Sequence, residues 1–419
     1  MMRNLLIALP VALAMTACSS NSDDQPSPVI CPTSGITLTR TEQALVASNN
    51  DFAFNLLRQA NPQYAPNGPR SDEAEKNLIL SPISITYALG MLNNGAAGET
   101  QQQINKVLGF QDAGQVNEFC RKMYHEAPRL DESTKVSIAN NIYVNQGYEL
   151  RPAFVEKALS YYDAQPETRN FHDGQTMNVI NQWASSHTNG MISKVLNEDT
   201  FNPDAVSYLL NATYFKGEWS RKFNKSQTHK QPFRGLTSVS QVEMMSQEAR
   251  FSYTSDDDCK LLQLPYGNGA YCMTILLPNS QTATLAQLRA KLTSVYWQQL
   301  LRQCTTEDVV VQLPRFEAQT DTDLISYLSA LGMSRAFDPY NAEFPDFCNR
   351  STYIGMMKQA ARIRVDEEGA EAAAVTTTGM CTTSIDYYRK SFIADHPFLY
   401  VISEQSTGAI FFIGQYTGN

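Results

Sequence analysis

Hydrophobic positions along this chain switch between helical and strand-like spacing from one segment to the next. In Glu42–Gln59 the apolar residues recur at the spacing of an amphipathic helix, although the pattern breaks around Asn49 and Asn50. By contrast, Val136–Val144 and Ser207–Phe215 are short apolar runs, which are typical of buried strands. The pattern therefore predicts a fold in which helices pack against sheets.

The same two spacings recur through the rest of the chain without an internal repeat. No Pro- or Gly-rich linker divides residues 41–419, which predicts a single mixed α/β domain with several sheets. The remaining strands are predicted at Val242–Met245, Leu262–Tyr266, Met273–Pro278 and Val309–Phe316. Further helices are predicted at Phe154–Tyr162, at Met177–Asn189 and within Leu324–Phe337, where the helix ends at Gly332 and Met333.

A short buried strand followed at once by a helix is predicted within Asn77–Asn94. Ser81 is placed to cap this helix, and Pro82 suits its first position because no backbone N–H donor is needed there. Gly95–Gly98 ends the helix, and Glu99–Leu108 forms the next one. On spacing alone, the segment is a pair of packed helices.

Between Val365 and Pro397 the chain has few large apolar side chains. A polar segment, Asp366–Gly369, leads into a run of small residues that alternate between two faces of an extended chain. A strand with only small side chains on its inward face is suited to entering between two strands that are already close together. The alternative on composition is a flexible loop. The inward face would hold Ala370, Ala372, Ala374 and Thr376, and the outward face Glu371, Ala373 and Val375.

Composition and charge exclude several classes of partner and cofactor. The net charge is −9, so a nucleic-acid surface is not expected, because phosphate binding needs clustered Lys and Arg. The eight cysteines form no C-x-x-C pair and no His/Cys cluster, which predicts neither a metal site nor another cofactor. Apart from Cys18 their number is odd, so at least one thiol stays free or pairs between molecules.

Motifs of the common enzyme classes are missing from the sequence. None of the five histidines lies in H-E-x-x-H, and there is no G-x-S-x-G, Walker or G-x-G-x-x-G motif. His396 is expected to pack near the C-terminal strands. A triad assembled from distant residues stays open as an alternative, but the sequence predicts that this chain is not an enzyme.

The first residues have the features of a targeting segment. A short basic start is followed by the apolar run Leu5–Met15, which is too short to span a bilayer. Small residues before Cys18 resemble a bacterial lipoprotein cleavage site, which predicts a signal peptide at 1–17, acylation of Cys18 and a polar tether at 18–40. The protein would then be secreted and anchored to the outer membrane in the cell envelope, on either face. Ordinary secretion is the alternative.

Two motifs near the C-terminus resemble those of the serpin family. The first is E-E-G-x-E-A-A-A, formed by Glu367, Glu368, Gly369, Ala370, Glu371, Ala372, Ala373 and Ala374. The second is F-x-A-D-H-P-F-L-Y-x-I at Phe392–Ile402. The resemblance implies the serpin fold, an α+β fold with several sheets, about nine helices and an exposed reactive-centre loop at about 367–391. It implies that the first motif is a hinge whose loop inserts as a strand.

The same resemblance implies two further groups of residues beneath the sheet. Ser81, Ser84 and Asn211 match a family cluster called the shutter, and Gln359 stands where that cluster usually has a histidine. Glutamine can both donate and accept hydrogen bonds. The F-K-G-x-W motif ends in Trp219, which matches the tryptophan at the breach, where the loop enters the sheet.

The resemblance implies that the chain traps a serine endopeptidase as a covalent acyl-enzyme. It also implies a monomer, whose other expected contact is with the membrane through its lipid anchor. Family spacing places the scissile bond at Thr383–Ser384, with Met380–Cys381 and Thr382–Thr383 as alternatives. Threonine suits the small pockets of elastase-like and subtilisin-like proteases, while papain-like cysteine proteases would read Thr382. The rival interpretations are a non-inhibitory serpin that serves as a surface binding or structural protein, and an unrelated surface hydrolase.

Overall fold

Helices and strands alternate along the chain in the computed structural model, which describes residues 35–61, 76–279, 283–370 and 389–418, without the side chains of Asn211 and Ala212. The described residues form nine α-helices and fifteen strands. The helices are α1 Arg40–Gln59, α2 Pro82–Asn93, α3 Gly98–Leu108, α4 Ala113–Glu126, α5 Pro152–Tyr162, α6 Thr176–His187, α7 Leu285–Lys291, α8 Ser294–Gln303 and α9 Ile325–Ala330.

The strands form two sheets of different size. They are β1 Leu78–Leu80, β2 Thr134–Asn145, β3 Glu167–Arg169, β4 Ser207–Glu218, β5 His229–Arg234, β6 Val239–Ser255, β7 Cys259–Tyr266, β8 Tyr271–Pro278, β9 Thr305–Pro314, β10 Phe316–Asp323, β11 Lys358–Val365, β12 Gly369–Ala370, β13 Lys390–Ile393, β14 Phe398–Glu404 and β15 Ile410–Tyr416.

The six-stranded sheet has the order β10-β11-β12-β4-β2-β3, and β12 is antiparallel to both of its neighbours. The nine-stranded sheet has the order β1-β15-β14-β8-β7-β6-β9-β13, with β5 attached to β6. Its hairpin β14–β15 is buried along its whole length and packs into the main hydrophobic core. The predicted mixed α/β fold is therefore confirmed, and the two sheets meet near the start of β12.

The predicted helix forms as α1, and it continues through Asn49 and Asn50, where the apolar pattern is interrupted. Both amides are buried and hydrogen-bonded. The Asn49 Nδ2 donates to the Thr86 Oγ1 at 2.8 Å, and the Asn50 Nδ2 donates to the Gly408 carbonyl at 2.8 Å. These polar residues interrupt the apolar spacing because they tie α1 to α2 and to the β14–β15 turn.

Two other predicted segments each contain two separate elements in the structure. Arg315 separates β9 from β10, where the sequence predicts the single strand Val309–Phe316. Within Leu324–Phe337 the helix forms as α9 and ends just before Gly332, as predicted, and a separate 3-10 turn forms at Arg335–Phe337. Gly332 has a φ of +105°, a left-handed conformation that ends the helical segment.

The folded body begins before the end of the predicted tether. Ile36 is buried, and its N–H donates to the Ser406 Oγ at 2.8 Å. Thr39 and Glu42 form a reciprocal capping box at the start of α1. Residues 35–39 thus pack onto the domain. Cys18 and the predicted signal peptide lie outside the described residues. Within the described ranges, no helix is long and apolar enough to cross a membrane.

Candidate functional site

The candidate site lies where the chain leaves β11 and enters the six-stranded sheet as β12. Ala370 pairs with Val365 on one side and with Gly217 on the other, and only 1% of it is exposed. Gly369 pairs with Glu218 and has a φ of +150°. A Cβ atom at Gly369 would lie 2.0 Å from the Gly217 carbonyl oxygen, so this position requires glycine.

The carboxylate of Glu367 is buried and held by two partners. The Arg315 guanidinium donates to both of its oxygens, with the Nε at 2.9 and 2.8 Å, and the Thr228 hydroxyl also donates to it. Burial alone would raise the pKa of this carboxyl, but the hydrogen bonds from Arg315 and Thr228 outweigh it and leave the pKa below its usual value. Glu367 is therefore an ionised anchor at the root of the loop.

Glu368 is anchored in the same way by two lysines. Its side chain is 5% exposed, and the Nζ atoms of Lys222 and Lys225 each lie 3.0 Å from one of its oxygens. Burial opposes ionisation, yet the two ammonium groups hold the pKa of Glu368 below its ordinary value. The polar segment Asp366–Gly369 is thus tied to the fold through the ion pairs of Glu367 and Glu368.

Trp219 joins the loop root to the sheet. Its backbone N–H donates to the Glu368 carbonyl at 2.7 Å, and its indole Nε1 donates to the Asp366 carbonyl at 2.8 Å. The indole stacks on Tyr266 with ring centroids 4.5 Å apart and planes 10° apart. Trp219 thus contacts the chain where it enters the sheet as β12, and its role at the breach stays a prediction from the family resemblance.

Gln359 brings together the backbone of Ser81 and the side chain of Ser84. Its Oε1 accepts from the Ser81 N–H at 3.1 Å, and its Nε2 donates to the Ser81 carbonyl at 2.9 Å and to the Ser84 Oγ at 3.5 Å. Ser81 occupies the N-cap of α2 as predicted, but its hydroxyl makes no capping bond. Asn211 lies in β4 opposite Asn140 of β2, and its side chain is not among those described.

The two described ends of the predicted loop 367–391 lie in different sheets. Gly369 and Ala370 pair within the six-stranded sheet as β12, while β13 pairs in parallel with β9 of the nine-stranded sheet. An ion pair between Arg389 and Glu248 lies just before β13. The other predicted site residues lie outside the described residues: Glu371, Ala372, Ala373, Ala374, Met380, Cys381, Thr382, Thr383 and Ser384.

Sequence reasoning missed the cations that hold the two glutamates. Arg315 lies in a run interpreted as one continuous strand, and Thr228 carries no signal of its own. Lys222 and Lys225 follow the F-K-G-x-W motif closely, and that local excess of positive charge before an acidic hinge is the signal that could have found them.

The site offers no ligand set for a metal. Across the described parts of the chain, no three His, Cys, Asp or Glu side chains form a group that could hold a metal ion. His396 packs as expected, with its Nδ1 2.8 Å from the Asp395 Oδ1 and its Nε2 2.9 Å from the Pro278 carbonyl oxygen. The site holds the first residues of a strand, Gly369 and Ala370, between β4 and β11.

Comparisons with known proteins agree with this geometry. A family model described as "Serpin (serine protease inhibitor)" matches residues 47–418. The chain is 32% identical over 384 residues to Iripin-2 of Ixodes ricinus, covering 89% of this chain and 93% of that protein. It is 30% identical over 379 residues to a leukocyte elastase inhibitor of Xenopus laevis, covering 87% of this chain and 97% of that protein.

A solved structure is also similar over most of its length. The crystal structure of the thermophilic serpin tengpin in its native state has a TM-score of 0.81 and 27% identity to this chain, covering 93% of this chain and 97% of tengpin. From the fold, the hinge held between β4 and β11, and these matches, the chain belongs to the serpin family of serine protease inhibitors.

Proposed function

We propose that this chain inhibits serine endopeptidases as a suicide substrate, by inserting its cleaved reactive loop between β4 and β11. The observation that carries the proposal is the pairing of Ala370 with both Gly217 and Val365. This pair of contacts fixes the register in which the chain beyond Ala370 would continue. The strand would be antiparallel to both neighbours, and it would gain a ladder of backbone hydrogen bonds on each side.

The register explains why the hinge consists of small residues. Continued from Ala370, it places Ala372 opposite Phe215 and Ile363, which are both buried. In the same register, Ala374 falls opposite Ala361, which is also buried. A large or charged side chain at Ala372 or Ala374 would be forced into the core, whereas alanine fits.

The neighbouring residues fall on the opposite face. In the extended register Ala373 lies opposite Arg362, which is exposed and ion-paired with Glu317. On its other side Ala373 would lie opposite Tyr214, which is buried, so a glutamate at this position would reach solvent beside the Arg362 guanidinium. This contrast between Ala372 and Ala373 gives a direct test of the proposed register.

The length of β4 is consistent with cleavage at Thr383–Ser384. The strand has 12 residues, Ser207–Glu218, and the register places Met380 opposite Ser207. A chain cleaved after Thr383 would therefore fill the whole edge of β4 and keep three residues for the link to the protease. At about 3.4 Å per residue, the protease would be carried about 40 Å along the sheet.

The covalent chemistry is that of the protease, and we propose that the chain itself catalyses no reaction. The nucleophile of the protease attacks the Thr383 carbonyl, the peptide bond to Ser384 breaks, and Ser384 leaves as a free amine. The resulting ester would normally be hydrolysed by water. Insertion moves the acyl-enzyme away before that step and pulls on the active site of the protease, so the ester persists.

Threonine before the scissile bond supports a target with a small specificity pocket. We propose elastase-like or subtilisin-like proteases, and the relatives named leukocyte elastase inhibitor support the first class. Cleavage at Met380–Cys381 or Thr382–Thr383 would leave a shorter insert by the same mechanism. A papain-like cysteine protease, which would read Thr382, is the alternative target.

Mixing the protein with neutrophil elastase tests the proposal. We expect a covalent adduct at the summed mass on a denaturing gel, and a released peptide that begins at Ser384 by mass spectrometry. The Ala372→Glu variant should be cleaved without forming the adduct, because insertion would bury an unpaired charge. The matched variant Ala373→Glu should still form it.

Two outcomes would contradict the proposal. If elastase, subtilisin and papain all cleave the loop and none forms an adduct, the chain is a non-inhibitory serpin. If Ala372→Glu and Ala373→Glu trap the protease equally well, the strand does not insert in the register set by Ala370. Catalytic turnover of a substrate at the same rate in both variants and in the unmodified protein would instead indicate a hydrolase.

For location, we propose acylation of Cys18 and anchoring to the outer membrane. Small residues before Cys18 and the polar stretch after it support this proposal. Labelled palmitate should enter the protein and not its Cys18→Ser variant, and the variant should appear in the medium or periplasm. Incorporation of palmitate into the Cys18→Ser variant as well as the unmodified protein would contradict acylation of Cys18.

A further inference from the structure

A small apolar cavity lies at the far end of the path that the reactive loop would take between β4 and β11. Ser207 and Leu209 of β4 line it, and so do Gly355 and Met356, which precede β11. The other lining residues include four buried apolar side chains: Leu92, Phe344, Phe347 and Ile354. None of the residues that line the cavity is charged. The cavity therefore suits an apolar side chain.

The register set by Ala370 leads to this cavity along both neighbouring strands. Ala370 pairs with Gly217 of β4 and with Val365 of β11. Continued antiparallel to both strands, the same register places position 380 opposite Ser207 on one side and Gly355 on the other. Both of these residues line the cavity. The registers along the two strands thus end at the same place.

The side chain at position 380 would point towards the main hydrophobic core. Directly paired residues of adjacent strands point to the same face of a sheet, and residues two apart in one strand share a face. Leu209, on the same face as Ser207, packs against the main core, whereas Tyr208 and Leu210 belong to a smaller apolar cluster. An inserted residue opposite Ser207 therefore faces the cavity.

The sequence places a large apolar residue at this position of the inward face. Methionine is unbranched and flexible, so it fills irregular cavities well. The preceding residues of the same face are all small, and the first large one is Met380: Ala370, Ala372, Ala374, Thr376, Thr378, Met380. The change from small to large side chains coincides with the cavity.

A second cavity follows the same path on the opposite face of the sheet. It is lined by Tyr208 and Leu210 of β4 and by Met356 and Lys358 on the β11 side. In the register, these four residues are the partners of positions 377 and 379, which hold threonine and glycine. Each face of the path thus has a cavity, but only the cavity on the core face meets a large side chain.

We propose that, after cleavage of the loop, the cavity on the core face binds the side chain of Met380 of the same chain. The inference rests on the proposed inhibitory function, because Met380 reaches the cavity only when the loop inserts. An inserted strand keeps β4 and β11 about 10 Å apart, which widens a cavity that both sides line. Burial of the thioether stabilises the inserted form and opposes withdrawal of the strand while the protease pulls on its end.

Oxidation of Met380 by hydrogen peroxide tests the proposal. The rate is measured by mass spectrometry of peptides from the uncleaved protein and from protease-free protein cleaved after Thr383 by elastase or subtilisin. We expect cleavage to slow the oxidation of Met380 about fivefold or more, because the filled cavity excludes peroxide. In the Ala372→Glu variant, whose cleaved loop should not insert, cleavage should leave the rate unchanged.

Two variants of Met380 test the chemistry of the cavity. Met380→Leu keeps an apolar side chain of similar volume, so the guanidinium midpoint of the cleaved protein should stay the same. Met380→Gln is similar in length but polar, and it should lower that midpoint by about 0.2 M, because its amide would be buried without partners. The uncleaved forms of both variants should match the unmodified protein.

The results that would overturn the inference separate it from the proposed function. If cleavage raises the guanidinium midpoint of the unmodified protein but not that of Ala372→Glu, the strand inserts. Oxidation of Met380 at an unchanged rate would then show that the cavity does not bind it, while the proposed function stands. If cleavage raises neither midpoint, the strand does not insert and both proposals fail. Protection of Met380 only in oligomers would assign the cavity to the loop of a second copy.

Discussion

The Arg315 guanidinium donates hydrogen bonds to both oxygens of the Glu367 carboxylate, although Arg315 itself is exposed to solvent. The side chain of Glu367 is 2% exposed, whereas that of Arg315 is 41% exposed. Arg315 lies between β9 and β10, so this contact ties the junction of the two sheets to the segment that leads into β12. A charge buried in this way is costly to leave unpaired.

Glu367→Lys should therefore destabilise the protein severely. The change places an ammonium group in a buried site that faces Arg315, and we expect the free energy of unfolding to fall by about 3–5 kcal/mol in urea denaturation. Glu317→Lys is the matched control, because Glu317 is 44% exposed and paired with Arg362. It should cost no more than about 1 kcal/mol. Equal losses in the two variants would contradict the structural role of Glu367.

The two hinge glutamates should make the protein sensitive to acid. Both have a folded-state pKa below the unfolded value of about 4.3, so their contribution to stability is present above that pH and is lost as the pH falls through the folded-state pKa. We expect the urea midpoint to be flat above about pH 6 and to fall below about pH 5.

Glu367→Gln separates this effect from that of other carboxylates. The variant should be less stable at neutral pH, because Arg315 loses a charged partner, and its midpoint should fall less steeply with acid than that of the unmodified protein. A profile parallel to that of the unmodified protein would show that Glu367 does not contribute to the acid sensitivity.

The sequence predicts the parts of the fold that depend on interactions between residues close together in the chain. Helix α3 and strand β2 follow from local spacing and turn residues, and the hinge glycine follows from its motif. Local pattern failed where a distant partner decides the outcome. Asn49 and Asn50 interrupt the apolar pattern of α1, and the reason is not visible in the sequence because their partners lie in α2 and in the β14–β15 turn.

The candidate site shows the same division. The acidic residues of the hinge are evident in the sequence, but their burial is not, because their partners come from positions 52 to about 146 residues away in the chain. The roles of Ser81 and Ser84 in the shutter stay predictions from family resemblance. What the structure adds is that Gln359 binds the backbone of Ser81 and not its hydroxyl.

Trp219 should stabilise the loop root through its indole N–H as well as its packing. Trp219→Phe keeps an aromatic ring against Tyr266 but removes the donor to the Asp366 carbonyl, and we expect a loss of about 2 kcal/mol in the free energy of unfolding. Trp183→Phe is the control, because Trp183 is only partly buried and packs on exposed His187. A loss at Trp183 as large as that at Trp219 would contradict the assignment.

Substitutions of Gln359 and of Ser81 should differ strongly in their effect on stability, although the two residues are in contact. Gln359→Leu leaves the buried N–H and C=O of Ser81 without their side-chain partner, and we expect a loss of about 3 kcal/mol. The Ser81 hydroxyl has no hydrogen-bond partner in the part of the chain that the structure describes. Ser81→Ala should thus change the free energy of unfolding by less than about 1 kcal/mol.

Urea denaturation of these two variants distinguishes two forms of the shutter. A large loss only in Gln359→Leu means that the glutamine amide ties β11 to the start of α2 through the backbone, so that another small residue would serve at buried position 81. A loss in Ser81→Ala as large as that in Gln359→Leu would mean that the hydroxyl itself makes a stabilising bond. The serine would then be essential, and the arrangement around Gln359 would need correction.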